Sequence, residues 1–162
     1  MSVYQRMKRL FPWKPHVKKG QPTSKTYYKI PQFNGTPGWV LLSHNETGQA
    51  EAVFVDRQDR VTPLPIVIDE RMCSDTILCA NRISADVYVI SDIQVLNGKN
   101  VFASDFFEDR QQTVTNLLEA FHKPDLTALI TLDDVPESTP LRGYEWYDGF
   151  PGTYGIFVPI EE

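Results

Sequence analysis

Apolar and polar positions divide this chain into short, closely spaced segments. The longest is Val87 to Leu96, a run of β-branched and aromatic residues long enough for a buried strand. Asn97-Gly98 follows it, and both residue types tolerate positive φ, so a tight turn into a short strand is predicted. Beyond it, Phe107, Val114, Leu117, Leu118 and Phe121 recur at helical spacing. Asp105 stands three residues before Glu108, the spacing of a capping box. His122-Lys123-Pro124 supplies a stop, since proline cannot continue a helix. One helix is therefore predicted near 105–122.

The remaining pattern is that of strands. Tyr27–Ile30, Trp39–Leu42, Ala52–Val55, Ile66–Ile68, Thr76–Cys79, Ala128–Leu132, Tyr144–Tyr147 and Gly155–Val158 are short apolar runs. Turn-forming stretches separate them: Pro31 to Gly38, Asn45 to Gly48, and Asp56 to Arg60, which carries Arg57 and Arg60. Thr76–Cys79 and Val87–Leu96 should pair antiparallel across 81–86. The fold class is α+β, strongly β and antiparallel, with one helix. Asp92 is a lone acid inside its apolar run. It is either an edge position facing solvent or a polar group presented into a cleft.

Composition fits one domain of ordinary size. The chain has 162 residues, 41% hydrophobic, with 12 Pro and 9 Gly that suit a turn-rich β fold. No apolar run approaches the roughly 20 residues of a membrane helix, and no apolar stretch follows the basic start as in a secretory signal, so an intracellular setting is expected. Charge adds a division. Residues 1–20 hold Arg6, Lys8, Arg9, Lys14, Lys18 and Lys19 and no acid. The remainder holds 10 basic against 21 acidic residues, a net of −11. This suggests a basic arm over 1–25 ahead of a domain over 26–162. Val3 to Leu10 reads as a short basic helix, broken by the prolines of Phe11-Pro-Trp-Lys-Pro15. The arm's cations and Trp13 suit nucleic acid or an acidic partner, or form a solvated tail. Phe11 and Trp13 also suit pinning the arm to the domain.

Other chemistry is sparse. Cys73 and Cys79 lack metal-site spacing and read as buried thiols. His16, His44 and His122 are scattered, and Asp133-Asp134 with Glu137 reads as a solvated acidic loop. Ser24, Ser43 and Ser74 lack a nucleophile-elbow context, and no Walker-type phosphate loop occurs. No cofactor and no metal are expected.

Tyr88-Val-Ile-Ser-Asp92-Ile-Gln-Val-Leu-Asn97-Gly98 leading to Glu108-Asp-Arg110, with Val53-Phe-Val-Asp56-Arg57 before it, resembles the nucleotidyltransferase fold of mRNA capping enzymes and of DNA and RNA ligases. The resemblance spans roughly residues 27–158 and rests on the order of short motifs. It implies a cleft lined by Gln32, Asn34, Trp39, Arg57, Asp92 and Tyr154. The family's Lys-x-Asp-Gly motif is matched by Gln32-Phe33-Asn34-Gly35, so the nucleophilic lysine is replaced by an amide with no usable lone pair. The Asp-Gly-Glu strand is matched by Cys79-Ala80-Asn81, and the Glu-Gly strand by Tyr154-Gly155. The carboxylates that would hold Mg²⁺ are missing from both, which argues against nucleotidyl transfer. Ile30-Pro31, Trp39-Val40, Thr76-Ile77-Leu78 and Tyr88 to Asp92 are also similar to the non-catalytic cap-binding domain of snurportin. That family's stacking tryptophan has no match, since Arg110 to Thr113 read Arg-Gln-Gln-Thr. The expected function is non-catalytic binding of a nucleotide, an RNA 5′ end or a nucleic-acid strand. The alternative is a structural or adaptor subunit with a vestigial cleft.

Overall fold

The computed structural model describes residues 2–11, 13–64, 75–120 and 128–160. Strand Ile66–Ile68, Cys73, Phe121 and the helix stop at 122–124 lie outside the described residues. The elements in chain order are α1 (Val3–Leu10), β1 (Val17–Lys19), β2 (Tyr28–Phe33), β3 (Thr36–His44), β4 (Ala50–Asp56), β5 (Val61–Leu64), β6 (Thr76–Ser84), β7 (Val87–Leu96), β8 (Lys99–Asn100), α2 (Val101–Ser104), α3 (Phe107–Ala120), β9 (Ala128–Thr131), β10 (Leu141–Tyr147) and β11 (Gly155–Pro159). The α+β class, strongly β, is as the pattern indicated.

Two sheets form. The larger runs β5-β4-β3-β6-β7, with β8 and β9 both on the far edge of β7. The smaller runs β1-β11-β10-β2. Pairing is antiparallel except for β7 with β9 and β1 with β11, which are parallel. Both exceptions join strands distant in sequence, which local patterning does not register. The β7–β8 hairpin turns on Asn97 and Gly98, at φ 47° and 84°. Gly38 sits where β3 and β4 come so close that a Cβ would overlap the Val55 carbonyl.

The larger sheet is covered on both faces, which explains why β3 and β7 are buried almost continuously rather than at alternate residues. On one face Val40, Leu42, Phe54, Leu78 and Ile90 meet Val114, Leu117 and Leu118 of α3. On the other face Trp39, Leu41, Val53, Val55 and Ile77 meet Val3 and Met7 of α1. A third cluster joins Ile30 and Tyr147 of the smaller sheet to Phe107 of α3.

Four expectations change. The expected arm belongs to the body over much of its length: α1 is capped by Ser2 with Gln5 and buries Val3 and Met7, and β1 pairs with β11. Trp13 packs on Tyr4 and Trp39, so it pins this segment. Arg6 pairs with Asp75 at 3.0 Å and Lys8 with Asp59 at 3.4 Å. These exposed pairs contribute about 0–1 kcal/mol each, less than the roughly 1.5–3 kcal/mol of burying one methionine side chain. Asp105 does not cap the long helix. It ends α2, accepting from the Ser104 hydroxyl, while Glu108 accepts from the Tyr28 hydroxyl. The short strand predicted after the turn is two residues long and passes directly into α2. The predicted turn over Pro31–Gly38 narrows to Asn34-Gly35, because backbone pairing extends β2 and β3 around it.

Leu118→Ala and Met7→Ala each remove a side chain buried on opposite faces of the same sheet. Each should lower unfolding free energy by about 2–5 kcal/mol in denaturant titration. A loss below about 0.5 kcal/mol for Met7→Ala would show a free arm instead.

Candidate functional site

The cleft between the two sheets is the concave site that the fold builds from the predicted residues. The larger sheet contributes Trp39 from β3, Cys79 and Ala80 from β6, and Ser91, Asp92 and Gln94 from β7. The smaller sheet contributes Gln32 from β2 and Glu145 and Tyr147 from β10, and His16 closes one end. Arg57 reaches it from the β4–β5 turn. Asp56 explains why Arg57 rather than Arg60 does so. The Asp56 carboxylate accepts from the Gln58 and Arg60 amides and binds Arg60 Nε at 2.6 Å, committing Arg60 to the turn.

Four of the six predicted cleft residues, Gln32, Trp39, Arg57 and Asp92, are brought together here. Asn34 and Tyr154 are not. Asn34 is exposed in the β2–β3 turn, its amide donating to the Pro140 carbonyl. Tyr154 lies outside the cavity, its ring 5.4 Å from that of His16, with Lys14 Nζ 5.9 Å away. Of the arm residues, Arg6, Lys8, Arg9, Lys14, Lys18 and Lys19 are exposed, and Trp13 is half-buried.

Asp92 does not face solvent. It is 4% exposed and bound by Arg110, itself 1% exposed, through Nε–Oδ1 at 2.9 Å and Nη2–Oδ2 at 3.3 Å. Arg110 Nη1 also donates to the Asp105 carbonyl, and the Ile93 amide donates to Asp92. The guanidinium lies 4.9 Å from the Phe102 ring centroid. Burial pushes the Asp92 carboxyl up, and the attraction and hydrogen bonds of Arg110 oppose that rise. A forked guanidinium on a carboxylate leaves Asp92 little capacity for an outside ligand.

Glu145 is the second buried carboxyl, accepting from the Tyr147 hydroxyl at 2.7 Å. Burial pushes it up to about 7, the charge on Asp92 adds to the rise, and the Tyr147 hydrogen bond, Arg57 and Arg142 oppose it. Burial likewise raises the Cys79 thiol, with Asp92 and Glu145 adding to it, so it is no thiolate nucleophile at neutral pH. His16 stacks on Phe102 at 3.8 Å and 20°. Burial, then Lys14 and Arg110, lower it to about 4, so it is neutral at pH 7.

These side chains fill the cleft. The remaining cavity is about 40 Å³. That admits about three waters at the 10–15 Å³ each occupies. The site can hold water and a proton. It offers no activated nucleophile, and among the described residues no three carboxylate, cysteine or histidine groups converge to hold a metal ion. No described helix is long and apolar enough to cross a membrane.

Arg110, Glu145, Tyr147 and His16 were not singled out as site residues from sequence. Arg110 stood in a quoted motif, but its partner 18 positions away is a tertiary fact. Glu145 carried a usable signal. In Gly143-Tyr-Glu-Trp-Tyr147 it has the same parity as Gly143 and Tyr147, and all three are buried. No protein-family model matches the chain, and no curated protein matches it.

Arg110→Met leaves Asp92 buried without its cation and should cost about 3–5 kcal/mol in denaturant titration. Adding Asp92→Asn should recover part of that loss. Equal destabilisation by the single and double variants would show that the charge pair is not what Arg110 supplies.

Glu145 predicts a pH dependence. Its folded value near 7 exceeds the ordinary 4.5, so its contribution is complete below about 4.5 and is lost as pH rises through 7. His16 slopes the other way between about 4 and 6.5, because there the unfolded chain binds more protons. Comparison with Glu145→Gln isolates the glutamate. The variant should gain stability relative to wild type from pH 5 to 8, on the order of 3 kcal/mol in total. Parallel profiles would contradict the buried neutral carboxyl.

Proposed function

We propose that this chain is a non-catalytic domain acting as a structural or adaptor subunit of a larger protein or nucleoprotein assembly, with a vestigial inter-sheet cleft. One observation carries the reading: the cavity among Gln32, Trp39, Arg57 and Asp92 is about 40 Å³. Small-molecule sites commonly run from about 300 to 1,000 Å³. Glu145 and Tyr147 from the smaller sheet narrow the space a ligand would need, and Asp92 on the facing wall is already bound by Arg110. The resemblance to nucleotidyltransferases supports the non-catalytic part, since Gln32 stands at the lysine position and the metal-orienting acids are replaced. Binding of a nucleotide or an RNA 5′ end in that cleft is correspondingly disfavoured.

A second reading has its own observation. A hollow of about 340 Å³ lies beneath the N-terminal segment, lined by Phe11, Trp13, Lys14, His16, Gln94 and Asn100 among others. Its size, aromatic walls and lysine suit a small ringed ligand. Calorimetric titration with ATP, GTP and a capped dinucleotide separates the readings. No saturable heat is expected, and labelled ATP or GTP with Mg²⁺ should leave the protein unlabelled. Saturable binding abolished by Arg57→Ala would return function to the cleft. Binding abolished by Trp13→Ala would place it in the hollow.

A further inference from the structure

The smaller sheet has a second face. Its inward residues Gln32, Glu145 and Tyr147 line the cleft. Strand alternation sends the intervening residues to the opposite side. The strand register aligns Lys18, Ile156, Trp146 and Lys29 in one row across all four strands. Val158, Tyr144 and Pro31 form the next row. Tyr144, Trp146, Ile156 and Val158 are half-buried, and none belongs to the three buried clusters. Lys29 Nζ lies 4.1 Å from the Tyr144 ring centroid and 5.4 Å from that of Trp146.

We propose that this outer face is a stacking platform for a single-stranded nucleic acid. Charge complementarity selects the occupant. In a chain of net charge −5, these two rows carry two lysines and no carboxylate. An anionic partner fits, and the two rings select one with flat groups to stack. Bases stack on aromatic side chains with little sequence preference, while the backbone follows nearby cations. Lys29 touches both rings, so a phosphate held by it lies beside two stacking surfaces. An acidic peptide would use the lysines and leave the rings idle. A duplex hides the faces of its bases. Lys18 and Lys29 stand three strand spacings apart, about 14 Å, which suits one short stretch of strand. The inference deepens the adaptor reading by naming the partner class, and it does not involve the cleft.

Anisotropy titrations of the full chain against labelled ten-nucleotide oligo(U) and oligo(dT) test it, the two arms separating RNA from DNA. Saturable binding is expected to at least one. Two neutralised phosphates give a log–log salt slope of about −1.4, hence about sevenfold weaker binding from 50 to 200 mM salt. Trp146→Ala should weaken binding at least tenfold, with melting temperature as the folding control. Lys29→Glu, a surface charge reversal, should abolish binding even if Trp146→Ala folds poorly. No saturable binding of either strand at high micromolar protein would overturn the proposal. So would binding indifferent to Trp146 and Lys29, or equal binding of polyglutamate. Such failure leaves the adaptor reading standing, because that reading rests on the nucleotide titrations of the filled cleft.

Discussion

A carboxylate buried in the middle of an apolar strand is tolerable only with a cation at hand, and Arg110 answers Asp92 in that way. Much of the structure follows from this pair. Arg110 belongs to α3, so the ion pair fastens the helix to β7 at the level where the smaller sheet closes over the larger one. Gln111, the next residue, donates to the Ser91 carbonyl and adds a second tie across the same contact. The guanidinium also rests against Phe102 and Phe107, which joins α2 and α3 to one charge. A buried pair adds little net stability over a well-packed apolar alternative. Its consequence here is positional, because it sets where α3 and the cleft wall stand.

The same pair shapes the chemistry around it. Burial pushes Glu145 up to about 7, and the negative charge of nearby Asp92 adds to that rise. Cys79 and Tyr147 are pushed up by the same surroundings. Among the described residues, the Arg110–Asp92 pair thus stands beside carboxyl, thiol and phenol groups whose neutral forms are favoured. Such an interior packs closed. Catalytic sites need a group poised to react and room beside it, and this cleft supplies little of either.

The N-terminal segment illustrates a contest between charge and burial. Two of its cations, Arg6 and Lys8, meet Asp75 and Asp59 on an acidic body. Those exposed contacts are weak, and the docking rests on Val3, Met7 and Trp13 covering the second face of the larger sheet. With that face covered, the exposed apolar surface of interest shifts to the outer side of the smaller sheet. There Tyr144 and Trp146 are stiff aromatic groups beside lysine, and no buried cluster claims them.

Much of the framework was determined by the sequence alone. The period-2 and continuous apolar runs located most strands, because strand formation responds to local side-chain pattern. Asn97-Gly98 specified its hairpin because few residues adopt positive φ cheaply. Val114, Leu117 and Leu118 announced the buried face of α3 through helical spacing alone. Tertiary structure decided the rest. Whether Asp92 met water or Arg110, and whether Val3 and Met7 were buried, depended on elements distant in sequence. The parallel pairings of β9 with β7 and β1 with β11 were equally nonlocal. Closure of the cleft depended on Glu145 and Tyr147 arriving from another sheet. Local patterning records which face of an element is apolar. Only the assembled chain determines what that face meets and how much space remains between them.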